Sequence, residues 1–358
     1  MAAPATSSSS SSSSPPRLIG KSSYSRLTAH IGSNLGDPVF RGSYHGKQAH
    51  ADDFDDILGR ARRAGVGMQL LTGDCLDGSK EVLALAQRHA GLYATVGCHP
   101  CRATEPDSFP GGATAYFDAL DKLIVDNKGK GKALFIGECG LDYDRLHLAS
   151  KEAQLKAFPP QLELASKHGL PLFLHSRACH PDFIAALRAH GKPLRGVVHS
   201  FTGETDEALE LIAAGFLIGI NGCSLKTPEN LDTVRALPLD RLLLESDCPW
   251  CSIGASYAAY ALLGDLRDDA AHAEAKARYV PAAVKKERWA PGKAVKGRNE
   301  PCTTGQVAWC VAKLKGVALD EVARVTTRTA LELFGAGVGE TDGVWDGGEG
   351  GEGGVEQT

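Results

Sequence analysis

Four side chains able to bind a divalent cation each stand at the end of a short apolar run. The run ALFIG leads to Glu138, LPLFL to His175, GVV to His199 and RLLLES to Asp247. Imidazole and carboxylate together suit Zn2+, Mn2+ or Mg2+. A cation held this way brings the pKa of a bound water toward neutrality. It also screens charge that builds on a phosphoryl or carbonyl oxygen. One such residue at a strand end is more often a satisfied structural group, and a lone buried carboxylate is more often simply paired. Four in equivalent places predict a common site for one or two ions. The run FLIGI ends similarly in Asn221, and His99 follows LYATV after two intervening residues.

These residues converge only if the runs are parallel strands whose C-terminal ends share one face. Eight runs are present: Leu27–Ile31, Val66–Leu71, Leu92–Val96, Ala133–Ile136, Leu170–Leu174, Gly196–Val198, Phe216–Ile220 and Arg241–Leu244. Most are continuous rather than alternating, as strands covered on both faces should be. Between them lie amphipathic segments at Asp53–Ala64, Ser79–His89, Ala153–His168, Pro181–His190 and Glu207–Ala214. Eight strands alternating with helices predict a (β/α)8 TIM-like barrel, in which active sites gather at the strand C-termini. A polar, Lys- and Ala-rich insert at 252–297 follows the eighth strand. The runner-up is a doubly wound open sheet, but no Gly-rich phosphate fingerprint follows the first strand. Pro159 and Pro160 fall inside the helical segment Ala153–His168. Either the helix begins there or it is kinked.

Composition narrows the rest. A chain of 358 residues, 43% hydrophobic, can bury a large core. No stretch approaches the roughly 18–20 apolar residues of a membrane span. The net charge is −4, but residues 1–26 carry three bases and no acid, and residues 337–358 carry six acids and no base. Removing both tails leaves −1 on the body, which argues against grip on nucleic acid mainly by counterion release. The first 26 residues, with serine from 7 to 14, read as a disordered tail or a transit peptide. The last 22 read as a disordered Gly/Glu-rich tail, leaving 27–336 as the hydrolase barrel. Ten cysteines without a secretory signal predict reduced thiols in the cytoplasm or nucleus, or in a plastid or mitochondrion if the N-terminus is a transit peptide. Cys98–Cys101 and Cys248–Cys251 have CxxC spacing. They lie on strands that are not neighbours, so neither a shared zinc site nor a redox role is assigned to them.

Over about residues 27–336 the sequence resembles the TatD-type metal-dependent deoxyribonucleases of the amidohydrolase superfamily, in wording closest to their eukaryotic branch. The resemblance rests on IGSNLGDPVFRGSYHGKQAH, TVGCHP, IGECGLDYDR, LFLHSR, VVHSFTG, IGINGCSLKT, LLLESDCPW and KGRNEPC. It implies a metal-dependent nuclease acting on DNA, exonuclease or endonuclease. It also implies that Glu138, His175, His199 and Asp247 occupy the metal-binding positions. Asp247 then binds a second ion or deprotonates the attacking water. His99 contacts the scissile phosphate or moves a proton, unless it merely packs in the GCHP turn. Arg177 and Lys226 hold non-reacting phosphates, or are solvated loop charges. Arg298, Asn299 and Glu300 of the RNEP phrase read as structural. Many relatives in the superfamily carry His-x-His on strand one, where this chain has Gly32 and Asn34. It also has His30, which is either a compensating ligand or a structural residue. Two rivals remain: a hydrolase of another ester or amide such as aminoacyl-tRNA on the same scaffold, and a non-catalytic protein with a degraded metal site.

Overall fold

The computed structural model describes residues 29–128 and 130–335. Both predicted tails lie outside the described residues, as do Leu27 and Thr28 of the first predicted strand. Each of the eight runs forms a strand: β1 (Ala29–Ser33), β2 (Met68–Leu71), β3 (Leu92–Val96), β4 (Ala133–Asp142), β5 (Leu172–Arg177), β6 (Gly196–Val198), β7 (Phe216–Ile220) and β8 (Leu242–Leu244). They pair in parallel and in sequence order. The segment after β8 returns to β1. The Asp247 N–H donates to Gly32 O at 3.0 Å, and the Asn34 N–H donates to Cys248 O at 2.9 Å. The sheet is therefore a nearly closed (β/α)8 barrel, and the open-sheet alternative is excluded.

The strands are apolar on both faces because each face meets a different core. Ile31, Leu70, Tyr93, Phe135, Phe173, Val197, Leu217 and Leu243 fill the lumen, which Leu333 and Phe334 of the last helix close from below. The alternate residues, among them Leu71, Ala94, Val96, Leu174, Val198 and Ile218, pack outward against the helices. The helices include α1 (Phe54–Arg63), α2 (Leu76–Arg88), α3 (Gly112–Lys128), α4 (Lys151–His168), α5 (His180–Ala189), α6 (Thr205–Ala213), α7 (Pro228–Ala236), α8 (Thr304–Lys315) and α9 (Leu319–Phe334). Helix α4 does not begin at its prolines. It starts after Ser150, whose hydroxyl accepts the Ala153 N–H, and runs on through Pro159 and Pro160. Burial of Ala157, Phe158, Leu162 and Ala165 outweighs the local cost of about 3 kcal/mol for an interior proline. The insert is not a bare polar loop. Its short helices bury Leu263, Leu266, Ala275 and Tyr279 against α8, where Gly305 gives the Tyr279 ring room to approach. No helix among the described residues is long and apolar enough to cross a membrane.

Candidate metal centre

The two-residue period of a strand decides which side chains reach the mouth. Phe173, Val197 and Leu243 point into the lumen, so His175, His199 and Glu245, two residues on, stand at its upper rim. Asp247 follows with the same parity, on a backbone held at φ +51°. Left-handed backbone at a non-glycine residue costs on the order of 1 kcal/mol and is typical of functional sites. On β4 the register shifts between Gly137 and Cys139, and Glu138 sits at that irregularity.

Three imidazoles surround one carboxylate oxygen. Glu138 Oε1 lies 2.8 Å from His175 Nδ1, 2.7 Å from His199 Nε2 and 3.3 Å from His99 Nε2. One atom each from His99, Glu138 and His175 lie within 4.8 Å of one another, a spacing that suits a cation. The far nitrogens sort the three rings. His175 Nε2 is 3.0 Å from Asp142 Oδ2, and His199 Nδ1 is 3.4 Å from Glu245 Oε2. In the metal-free protein the near nitrogens donate to Glu138; were a cation to displace those protons, the carboxylates would hold the N–H on the far side, the arrangement of a metal-ligating histidine. His99 is the reverse. The Cys101 backbone N–H donates to its Nδ1 at 3.0 Å, so Nε2 carries the proton and cannot offer a lone pair. Glu138, His175 and His199 thus fit a divalent cation, and His99 fits a proton donor beside it.

Electrostatics in the metal-free cluster follow from this crowding. Burial alone would raise the Glu138 carboxyl, but His199, His99 and the bonds from His175 and His199 hold it well below the usual range. Burial disfavours charge on His199, yet Glu138 and Glu245 outweigh it and keep the imidazole well above its ordinary value. His175 is likewise raised, against burial, by its bonds to Asp142 and Glu138. Such opposed shifts are what a bound cation would replace. Asp247 stands apart from these contacts. Its Oδ1 accepts the Asn34 amide at 2.9 Å, and its Oδ2 accepts the Cys251 thiol at 3.3 Å. Burial pushes its carboxyl up, as does the charge of Glu138.

Two carboxylates escaped the sequence reading, and strand parity was the signal that could have found one of them. Glu245 is fully buried, accepts the Ser200 N–H at 2.5 Å, and fills space that a side chain at Gly32 or Gly219 would occupy. Gly32 is therefore required by Glu245, and Asn34 positions Asp247. Asp142, in the DYDR phrase, also accepts the N–H groups of Asp144 and Arg145, at 3.0 and 3.1 Å.

His30 is a structural residue. It lies on the outer face of β1, where its Nε2 accepts the Ser246 N–H at 2.9 Å, and burial lowers its pKa to about 3. Arg177 donates to Thr202 Oγ1 and to Ser200 O, just past His199. Lys226 is exposed, its ammonium 5.8 Å from the Tyr257 ring. Asn221 shapes the turn after β7 by bonding Ser200 and Cys223. The RNEP phrase is a buried clamp. Arg298 donates to both Asp53 oxygens and to Glu300, and Arg60 donates to Glu300 at 2.6 and 3.0 Å. Asn299 donates to Ser246 O and Trp250 O, gripping the segment that carries Asp247. The CxxC cysteines do not pair with each other. Cys248 faces Ser33, and Cys251 faces Cys223.

The family described as TatD related DNase matches residues 44–335. The chain is 44% identical over 306 residues to the Schizosaccharomyces pombe protein named deoxyribonuclease Tat-D, covering 85% of this chain and 94% of that one. It is 35% identical over 290 residues to a 3'-5' ssDNA/RNA exonuclease TatD of Erwinia amylovora, covering 80% and 95%. Among solved structures it superposes on a TatD family hydrolase of Entamoeba histolytica with a TM-score of 0.75. That match has 30% identity and covers 87% of this chain and 99% of that one.

Proposed function

Since the chain belongs to the TatD related DNase family, we propose that it is a divalent-metal-dependent hydrolase cleaving phosphodiester bonds of DNA. The observation that carries this reading is the convergence of His175 Nδ1 and His199 Nε2 on Glu138 Oε1, with Asp142 and Glu245 holding the far nitrogens. Glu138, His175 and His199 would hold Mg2+, Mn2+ or Zn2+, with Asp247 completing that site or serving a second ion. The cation supplies water activation and neutralises charge on the phosphate oxygens.

The chain's own groups do the rest. The Asp247 carboxylate, raised by burial, orients the attacking water and accepts its proton. Asn34 and Cys251 fix that carboxylate by donating to one oxygen each. His99 donates its Nε2 proton toward the reacting phosphate or the leaving oxygen. Arg177, at the end of β5, and Lys226, past the end of β7, hold phosphates on either side of the cleaved bond. The named activity of the Erwinia relative makes a free 3' end of a single strand the first substrate to try.

A metal-titrated assay on single- and double-stranded oligonucleotides, with EDTA as control, tests the reading. Cleavage that requires added metal and falls at least a hundredfold in Asp247→Asn, with the melting temperature kept, is expected. Cleavage indifferent to EDTA, or an Asp247→Asn variant at the parent rate, would refute the assignment.

A further inference from the structure

A second concavity opens where the segment carrying Asp247 runs out, and its lining is aromatic and basic. Its volume is about 460 Å3. Its floor is Pro249–Trp250, immediately after Asp247, and the Trp250 N–H donates to Asp247 O at 3.0 Å. One wall is Tyr44 and His45, from the loop after β1; the other is Lys285, Lys286 and Lys296, from the insert. Trp250 is 59% exposed, far more than any other tryptophan among the described residues, although large aromatic side chains normally bury their area.

The backbone beneath it is rigid. Asn299 donates to Trp250 O at 2.7 Å, and the Asn299 N–H donates to Pro249 O at 3.0 Å. The lysines are uncommitted: among the described residues no carboxylate lies within ion-pair reach of Lys285, Lys286 or Lys296. The ammonium of Lys286 sits 4.8 Å from the Tyr44 ring. Arg298, also on the lining, is spent on Asp53 and Glu300. One acid, Glu287, faces three lysines. The body as a whole has no excess of positive charge, so this concentration is local.

We infer that this cavity is a nucleotide subsite: an unpaired base of a single nucleic-acid strand stacks on Trp250, and its phosphate lies against Lys285, Lys286 and Lys296. An exposed, rigidly based ring flanked by cations is the combination that holds single strands without reading their sequence. A base paired in a duplex has its faces covered and cannot stack there. The inference rests on the nuclease reading for its substrate class and adds where the strand lies and why it must be single. It also gives the insert a task that the barrel itself does not need.

The test separates the two claims by measuring binding without cleavage. Anisotropy of a labelled single-stranded oligothymidylate is followed with the full chain in EDTA, for the parent, Trp250→Ala and Trp250→Phe. Trp250→Ala should weaken binding about tenfold, and Trp250→Phe should recover most of it. With metal added, Trp250→Ala should raise KM and leave kcat within about twofold. Replacing the three lysines by glutamine should flatten the dependence of log K on log salt by about 2. Parent-like binding by Trp250→Ala, or a Trp250→Phe no better than alanine, overturns the subsite even if the enzyme cleaves DNA. Weakened binding in a chain that cleaves no DNA under any metal would keep the subsite and remove the nuclease reading instead.

Discussion

The segment Glu245–Trp250 has two faces, and they handle buried charge in opposite ways. On the inner face Glu245, Glu138, Asp142 and three histidines are joined at the barrel mouth, and Asp247, held by Asn34 and Cys251, follows two residues after Glu245. On the outer face Ser246 meets His30 and Asn299, and beyond them two arginines are set against two carboxylates, Asp53 and Glu300. The outer network is balanced in charge. Its two cations and two anions are joined by short donated bonds and cancel in charge, although Arg60 Nη1 and Arg298 Nε are buried without a partner. The inner cluster has four carboxylates, and only Asp142 among them meets a fixed cation, the half-exposed Arg145 at 3.5 Å; the others are balanced by protonating imidazoles that could instead bind metal. A buried charge cluster that is already neutral is a strut. One short of positive charge, with imidazole nitrogens converging on a common point, is suited to a cation.

The comparison breaks most visibly if one member is removed from each side. Glu138→Gln takes away the anion on which the imidazoles converge. Hydrolysis should fall on the order of a thousandfold, with metal binding lost and the melting temperature within a few degrees of the parent. Arg298→Met should do the opposite, leaving Asp53 buried without its bidentate partner. Stability should drop by about 3 kcal/mol or more, while the folded fraction keeps much of its turnover. Denaturant unfolding and initial rates on both variants decide the matter. A destabilised but active Glu138→Gln, or a stable and inactive Arg298→Met, would reverse the two roles.

A finer cut separates ligand from support on the inner face. Glu245 touches no substrate in the proposed mechanism and acts through His199. Glu245→Gln should weaken metal affinity by about tenfold to a hundredfold, and saturating metal should restore kcat. An Asp247 variant should not be rescued in that way. A loss in Glu245→Gln that survives saturating metal would place its carboxylate in the chemistry itself.

Why Glu245 was hidden says how far the sequence could be read. The barrel was legible because eight apolar runs, buried on both faces, leave few other arrangements. Glu138, His175 and His199 were legible because each ends such a run. The same rule passed over Glu245, which lies in the run-out of RLLLES and looks like a strand terminus before Asp247. Counting by twos from Leu243 would have pointed both Glu245 and Asp247 inward. Asp142 could not be found that way, because β4 slips register at Gly137–Cys139 and breaks the count. The polarity of Gly32 and Asn34 as substitutes for histidine was also unreadable, since their reason is the bulk of Glu245 and the reach of Asp247 on the opposite edge of the closed barrel. Long-range side-chain contacts of this kind have no local signature.

The smallest expected effect contrasts two histidines on opposite sides of the same wall. His199, inside, is held protonated in the metal-free protein by carboxylates. His30, outside, has no carboxylate and is kept neutral by burial, with its pKa near 3 against an ordinary 6.5. In the unfolded chain His30 binds a proton below about pH 6.5, and in the folded protein it does not until about pH 3. Its contribution therefore favours the unfolded state increasingly as pH falls through that window. Between pH 7 and pH 5 the cost is about 2 kcal/mol. His30→Gln keeps an acceptor for the Ser246 N–H and cannot titrate, so its stability should fall less than the parent's over that interval. Parallel stability curves for the two would mean that His30 is hydrated or paired in solution, and the outer face would then no longer be the closed, self-sufficient side of the wall.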